Sequence, residues 1–295
     1  MFFKVVIVLV ACHKVTALFE GDIKVPYELV AEEYSGVLAD NLLKGGYLED
    51  SYLTFGTDPK RIRRWDDGVV PFTFSPSSTF TNEEKELITS ELSYMSLITN
   101  DLLVFKMKDD NDPNYISFDN SGVNGCWSYM GMVGGAQTIH LGEGCVNSGT
   151  VTHETMHALG FWHEHSRPDR DEYIQIFTEN IKPTLLSQFE VRKSIDSMGT
   201  AYDLKSIMHY GNRVFSVNGK VTLSSLEFPD MKLGGGVLTD MDIEQLKLLY
   251  GGVNLPSAAP TFLDKCGEVN RHKRCKGVGG CRWSKRTKKC IKKKN

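Results

Sequence analysis

The chain of 295 residues is expected to form an α+β domain with a cleft, one substantial globular body carrying appendages. Strand-like runs crowd its first half, a histidine-bearing helix follows at residue 153, and the second half is looser and richer in turns. Val69-Val70-Pro71-Phe72-Thr73-Phe74 reads as the strand that enters the fold. Thr81-Asn82-Glu83-Glu84 sets a helix cap with an acid three positions on, so a helix should run to about Thr99. Strands are expected over 102–107, 115–118 and 138–141, the last reached through Gly134-Gly135. Beyond the histidines, a polar helix start is expected over 170–178 and an apolar run at 221–223. A final helix should span 239–250, with Asp240 and Asp242 near its positive end and Gly251-Gly252 to stop it.

The appendages follow from the ends. MFFKVVIVLVACHKVTA is apolar, too short to span a bilayer, and closes on small residues. Residues 1–17 therefore read as a signal peptide of a secreted, extracellular protein, and no later segment reaches transmembrane length. Of seven cysteines, Cys12 leaves with the signal, and the even remainder implies disulfides in an exported chain. Residues 18–64 are polar, lack cysteine and end in Lys60-Arg61-Ile62-Arg63-Arg64, which reads as a propeptide offered to an activating protease. The globular domain is expected over 65–253, and a linker with Pro256 and Pro260 over 254–265.

A small disulfide-rich module then holds Cys266, Cys275, Cys281 and Cys290, for which three pairings exist. Residues 264–295 carry 13 Lys/Arg against two acids, leaving 21 against 35 in the first 263 residues. Such a cationic tail suits acidic glycans or an anionic surface, and specific nucleic-acid binding is not expected of an exported chain.

The strongest local signal is His153-Glu154-Thr155-Met156-His157. Residues i and i+4 share a helix face, so two imidazoles can point at one metal ion. Glu154 is displaced around the helix, free to accept a proton from water activated there. Past His157 a continuing helix would leave the metal; Gly160 can take positive φ and return the chain with His163. Buried core histidines or a histidine-rich surface would require neither Gly160 nor Glu154. A structural zinc site would fill four positions with strong ligands, whereas three histidines leave one for water. Ser206-Ile207-Met208-His209-Tyr210 reads as a short strand with Met208 in the core, and spacing alone leaves the reach of Tyr210 open.

HETMHALGFWHEHSRPDRDEY over 153–173 and SIMHY over 206–210 resemble the zinc signature and methionine turn of the astacin family of metzincin proteases. FEGDI at 19–23, GCWSYMG at 125–131, GGAQTIHL at 134–141 and LTDMDIEQLKLLY at 238–250 extend the resemblance over about residues 18–253. It implies a two-subdomain zinc protease with a mixed twisted sheet, an active-site helix and a deep cleft. It implies one catalytic zinc on His153, His157 and His163, with Glu154 as general base and acid. It makes Met208 an apolar floor and Tyr210 a group that swings toward the oxyanion. The segment 134–141 would be the edge strand that pairs with an extended peptide substrate. Asp22, an ordinary turn residue without the resemblance, would occupy the water position of the zymogen.

Further implications concern bridges and activation. Cys126–Cys145 matches one family disulfide, but the other has no cysteines here: Thr99-Asn100-Asp101 and Gly251-Gly252-Val253 stand in their place. That bridge closes about 150 residues, so its absence forfeits a few kcal/mol unless packing compensates. The family's mature amino terminus folds inward to the acid after the third histidine, here Glu164, and begins several residues before a Trp resembling Trp65. A cut after Arg64 would remove that lead. The leading expectation is a secreted zinc endopeptidase; the alternative is a catalytically weak or inactive binding protein that adheres through its basic tail.

Overall fold

The computed structural model describes residues 16–19, 22–26, 64–122, 124–193, 195–251, 281–284 and 289–292. Residues 1–15 of the expected signal, most of the propeptide, the basic cluster before Arg64, the linker, Cys266 and Cys275 lie outside these, whereas Thr16 and Ala17 of that expected signal are described. The first strands are β1 (Thr16–Phe19) and β2 (Ile23–Pro26), then β3 (Val69–Phe74), β4 (Val104–Met107) and β5 (Tyr115–Asp119). β6 (Cys126–Tyr129) and β7 (Ala136–Leu141) complete one sheet of order β1-β2-β6-β7-β5-β3-β4. β3, β4, β5 and β7 pair in parallel and β6 runs antiparallel to β7, which makes the sheet mixed.

The segment 134–141 is not an edge strand. β7 lies between β5 and β6, and Ile139 and Leu141 are fully buried. With β1 and β2 set aside, β6 is one edge of the sheet and β4 the other; β2 covers β6, pairing with it in parallel through Ile23–Ser128 and Lys24–Tyr129. A run rich in β-branched and apolar residues cannot by itself distinguish a central strand from an edge.

Helix α1 (Asn82–Ile98) begins where expected: the Thr81 hydroxyl accepts from the Glu84 amide at 3.2 Å, and Glu84 accepts the Thr81 N–H at 2.8 Å. Helix α2 (Ser148–Ala158) carries the histidines, and α3 (Asp240–Tyr250) starts on a capping box made by Thr239 and Asp242. The stretch 170–178 is no helix. Single 3-10 turns at Arg170–Glu172 and Thr178–Asn180 flank β8 (Ile174–Ile176), which pairs with β9 (Leu223–Ser225). A hairpin of β10 (Cys281–Ser284) and β11 (Lys289–Lys292) carries Cys281 and Cys290.

Two apolar cores result among the described residues. In the larger, the sheet packs on the helices through Phe72, Phe118, Ile139, Met95, Met156 and Leu246. The smaller gathers Ile174, Ile181, Phe189, Tyr202, Tyr210 and Leu223. Met208 belongs to the first and Tyr210 to the second, so the histidine helix faces the seam between them. Cys126 and Cys145 form a disulfide that ties β6 to the loop before α2. Where the second family bridge is missing, α1 ends through Asn100 and Asp101 in left-handed conformation, with Leu97 and Leu103 buried on either side. Among the described residues no helix is long and apolar enough to cross a membrane.

Candidate metal centre

The end of α2 is fixed by local and distant contacts. Gly160 has φ of 106°, a conformation that a β-carbon disfavours. It lets the Gly160 amide reach His157 O at 2.8 Å and the Phe161 amide reach Met156 O at 3.0 Å, the paired bonds of a Schellman stop. Three remote donors satisfy the last carbonyls: Gly131 N–H on His157 O, Trp65 Nε1–H on Ala158 O and the Tyr250 hydroxyl on Leu159 O, at 2.9, 2.9 and 3.0 Å. The chain turns back as expected and brings His163 beside the other two histidines.

The three imidazoles converge. His153 Nε2 lies 3.1 Å from His157 Nε2 and 3.3 Å from His163 Nε2. His153 Nδ1 bonds Ile207 O at 2.9 Å and His157 Nδ1 bonds Phe161 O at 2.7 Å. Carbonyls only accept, so both rings carry the proton on Nδ1 and face each other with Nε2 lone pairs. Burial drives the His157 pKa down to about 4, which keeps that ring neutral and fit to be a ligand. Asp22 closes the group: its Oδ2 stands 3.2 Å from His153 Nε2 and 3.3 Å from His163 Nε2. All four donor atoms lie within 4.8 Å of one another.

This donor set fits zinc. Ligand nitrogens at tetrahedral zinc stand roughly 3.3 Å apart, as bond lengths near 2.0–2.1 Å dictate. Opposed lone pairs at that spacing repel without a cation between them. Two buried oxygens point the same way: Asp22 Oδ1 and Glu154 Oε2 lack a hydrogen-bond partner. Burial around Asp22 pushes its carboxyl up, but the imidazole cluster around it, His163 foremost, outweighs this and holds it well below the usual range. Burial, then the Asp22 charge, raises Glu154 well above its ordinary value.

Glu154 lies on α2 outside the four-ligand group and is 1% exposed. Met208 is buried in the larger core. The Tyr210 ring sits 4.5 Å from the His163 ring and stacks on His165 at 3.8 Å. Glu164 is buried behind His163. Its Oε1 accepts from Arg167 Nη1 and from the Asp203 amide, both at 2.9 Å, and burial lifts its pKa to about 7. A cavity of about 300 Å³ opens beside it, lined by Arg64, Trp162, Arg167, Met198 and Leu248 among others.

Some participants carry no sequence signal as site residues. The Ile207 carbonyl is backbone, and Arg167 is a buried cation that reads as surface charge. Asp242, expected only as a helix-start acid, accepts from the Ser206 hydroxyl at 2.6 Å and the Ile207 amide at 3.0 Å.

Comparison with known proteins agrees with this geometry. The peptidase family Astacin matches residues 57–251. Zinc metalloproteinase nas-14 of Caenorhabditis elegans is 36% identical over 245 residues, covering 79% of this chain and 47% of that protein. Zinc metalloproteinase nas-15 of the same organism is 39% identical over 165 residues, covering 55% of this chain and 28% of that one. The chain thus spans about half or less of these relatives. High choriolytic enzyme 1, a hatching enzyme zinc-protease of Oryzias latipes, superposes with a TM-score of 0.59 at 31% identity, over 64% of this chain and 94% of that one. With the family matched across the whole globular domain and the zinc donor set in place, the chain belongs to the astacin family of peptidases.

Proposed function

We propose that the chain is a secreted zinc endopeptidase made as an inactive precursor. The observation that carries the reading is the convergence of three imidazole Nε2 atoms beside a buried glutamate oxygen without a partner. His153, His157 and His163 hold one zinc ion, and Asp22 is the fourth ligand of the precursor. When bound, zinc supplies a Lewis acid that polarises the scissile carbonyl and acidifies the attacking water. Glu154 takes the proton of that water and passes it to the leaving amine. Tyr210 donates a hydrogen bond from its phenol to the developing oxyanion, and Met208 holds the apolar floor. An extended protein or peptide substrate pairs with the β6 edge once β2 departs, since free backbone N–H and C=O groups bind any main chain.

Activation lies upstream of Arg64. Trp65 is 1% exposed, and a cut after Arg64 would place a charged ammonium on it. Arg64 itself donates to Leu249 O at 2.7 Å, as part of the globular domain. A cut made earlier leaves a lead that enters the cavity beside Glu164. Casein hydrolysis by activated protein should vanish with a zinc chelator, return with zinc, and give internal fragments by mass. N-terminal sequencing of that protein should begin before Arg64. Chelator-resistant hydrolysis, or release of terminal residues alone, would sink the endopeptidase reading.

The module at 266–295, bridged through Cys266, Cys275, Cys281 and Cys290, docks the enzyme on acidic glycans or another anionic surface. Its support is the excess of basic residues. Heparin retention should weaken with salt and be lost when 264–295 are deleted; retention that survives the deletion refutes this role.

A further inference from the structure

We infer that Asp242 on α3 is a positioning residue for the metal centre, acting on His153 through the backbone of the Ser206–Met208 loop. The inference rests on the zinc assignment proposed above. His153 Nδ1 donates to Ile207 O at 2.9 Å, and the Ile207 amide donates to Asp242 Oδ2 at 3.0 Å. The other carboxylate oxygen accepts the Ser206 hydroxyl at 2.6 Å, and Ser206 Oγ in turn accepts the Met208 amide at 2.9 Å. One carboxylate therefore holds three consecutive residues of the loop beneath the histidines. Asp242 is 1% exposed, so water does not compete for these bonds.

The chemical consequence follows the peptide. The Ile207 C=O shares its peptide group with the Met208 N–H, whose acceptor, Ser206 Oγ, is itself bonded to the carboxylate, so the anion both places that carbonyl and polarises it as an acceptor. That acceptor locks the His153 ring in its Nδ1–H tautomer and increases the donor strength of Nε2. A plain capping role explains less. The capping box needs the Thr239 amide on Asp242 Oδ2 at 2.9 Å and the Asp242 amide on Thr239 Oγ1 at 3.0 Å. The bonds to Ser206 and Ile207 add nothing to a cap, and they reach 36 and 35 residues back along the chain.

The test measures the zinc dissociation constant of the full-length chain, by competition with a chromophoric chelator, beside the melting temperature of zinc-free protein. Asp242→Ala should weaken zinc binding about 10–100-fold, and Asp242→Asn, which keeps the shape without the charge, about 3–10-fold. Thr239→Ala removes the cap hydroxyl but leaves the carboxylate on the loop; it should lower the melting temperature with zinc affinity unchanged. If Asp242→Ala does not fold, Asp242→Asn decides alone. Unchanged affinity in Asp242→Asn, or equal weakening by Thr239→Ala, overturns the inference. A wild-type chain that takes up no zinc overturns the zinc assignment as well, which separates the two failures.

Discussion

Replacing Glu154 by Gln is expected to lower kcat/KM of the activated enzyme by a factor of about 100 to 10,000, the range that a positioned general base contributes. Gln fills the same buried slot on α2, so the helix and the three histidines stay in place. What is lost is the ability to take a proton from the attacking water. Zinc content should therefore match wild type, while hydrolysis of a quenched peptide collapses. Because Glu154 lies outside the ligand group, KM should move much less than kcat. A variant that keeps more than about a tenth of the activity would show that another group serves as the base.

Asp22→Ala should release latent activity in the unprocessed chain. The carboxylate oxygen reaches His153 and His163 at 3.2 and 3.3 Å, and its backbone carbonyl accepts the Ser128 amide at 2.8 Å. Alanine removes the first set of contacts and spares the second, so β2 can still pair with β6. A charge-assisted contact is worth about 1.5–3 kcal/mol, which corresponds to roughly a tenfold to hundredfold rise in the open population. The measurement is peptide hydrolysis by uncut chain, with a gel to exclude processing and Asp22→Asn as the variant of the same shape. Activity no higher than wild type would mean that strand pairing alone keeps the precursor silent.

Much of the centre was legible because its information is local. The i, i+4 spacing of His153 and His157, the turn at Gly160 and the return to His163 all fall within eleven consecutive residues, and each obeys backbone geometry. Thr81 with Glu84 announced α1 in the same way. Asp22 has no such context: it lies 131 residues from His153, and only the family resemblance singled it out. The edge and central positions of β6 and β7 depend on which strands pair, a property of the whole sheet. β8 carries no strand signal because three residues are too few to reveal a period. The orienting partners of two histidines are the carbonyls of Ile207 and Phe161, and every residue has a carbonyl.

The anchoring of α2 by Trp65 and Tyr250 also sets an order of events during synthesis. Trp65 is 93 residues before its acceptor and Tyr250 is 91 residues after its own. A nascent chain that has just exposed its histidines still lacks the loop at 206–208, the α3 helix and the hydroxyl that satisfies Leu159 O. Contacts of such long separation form late, after loop-closure entropy has been overcome. The centre is thus one of the last parts to become rigid, and the contact of Asp22 with His153, 131 residues apart, belongs to the same late class. A partly made chain has no working site, and a finished one starts with its site occupied.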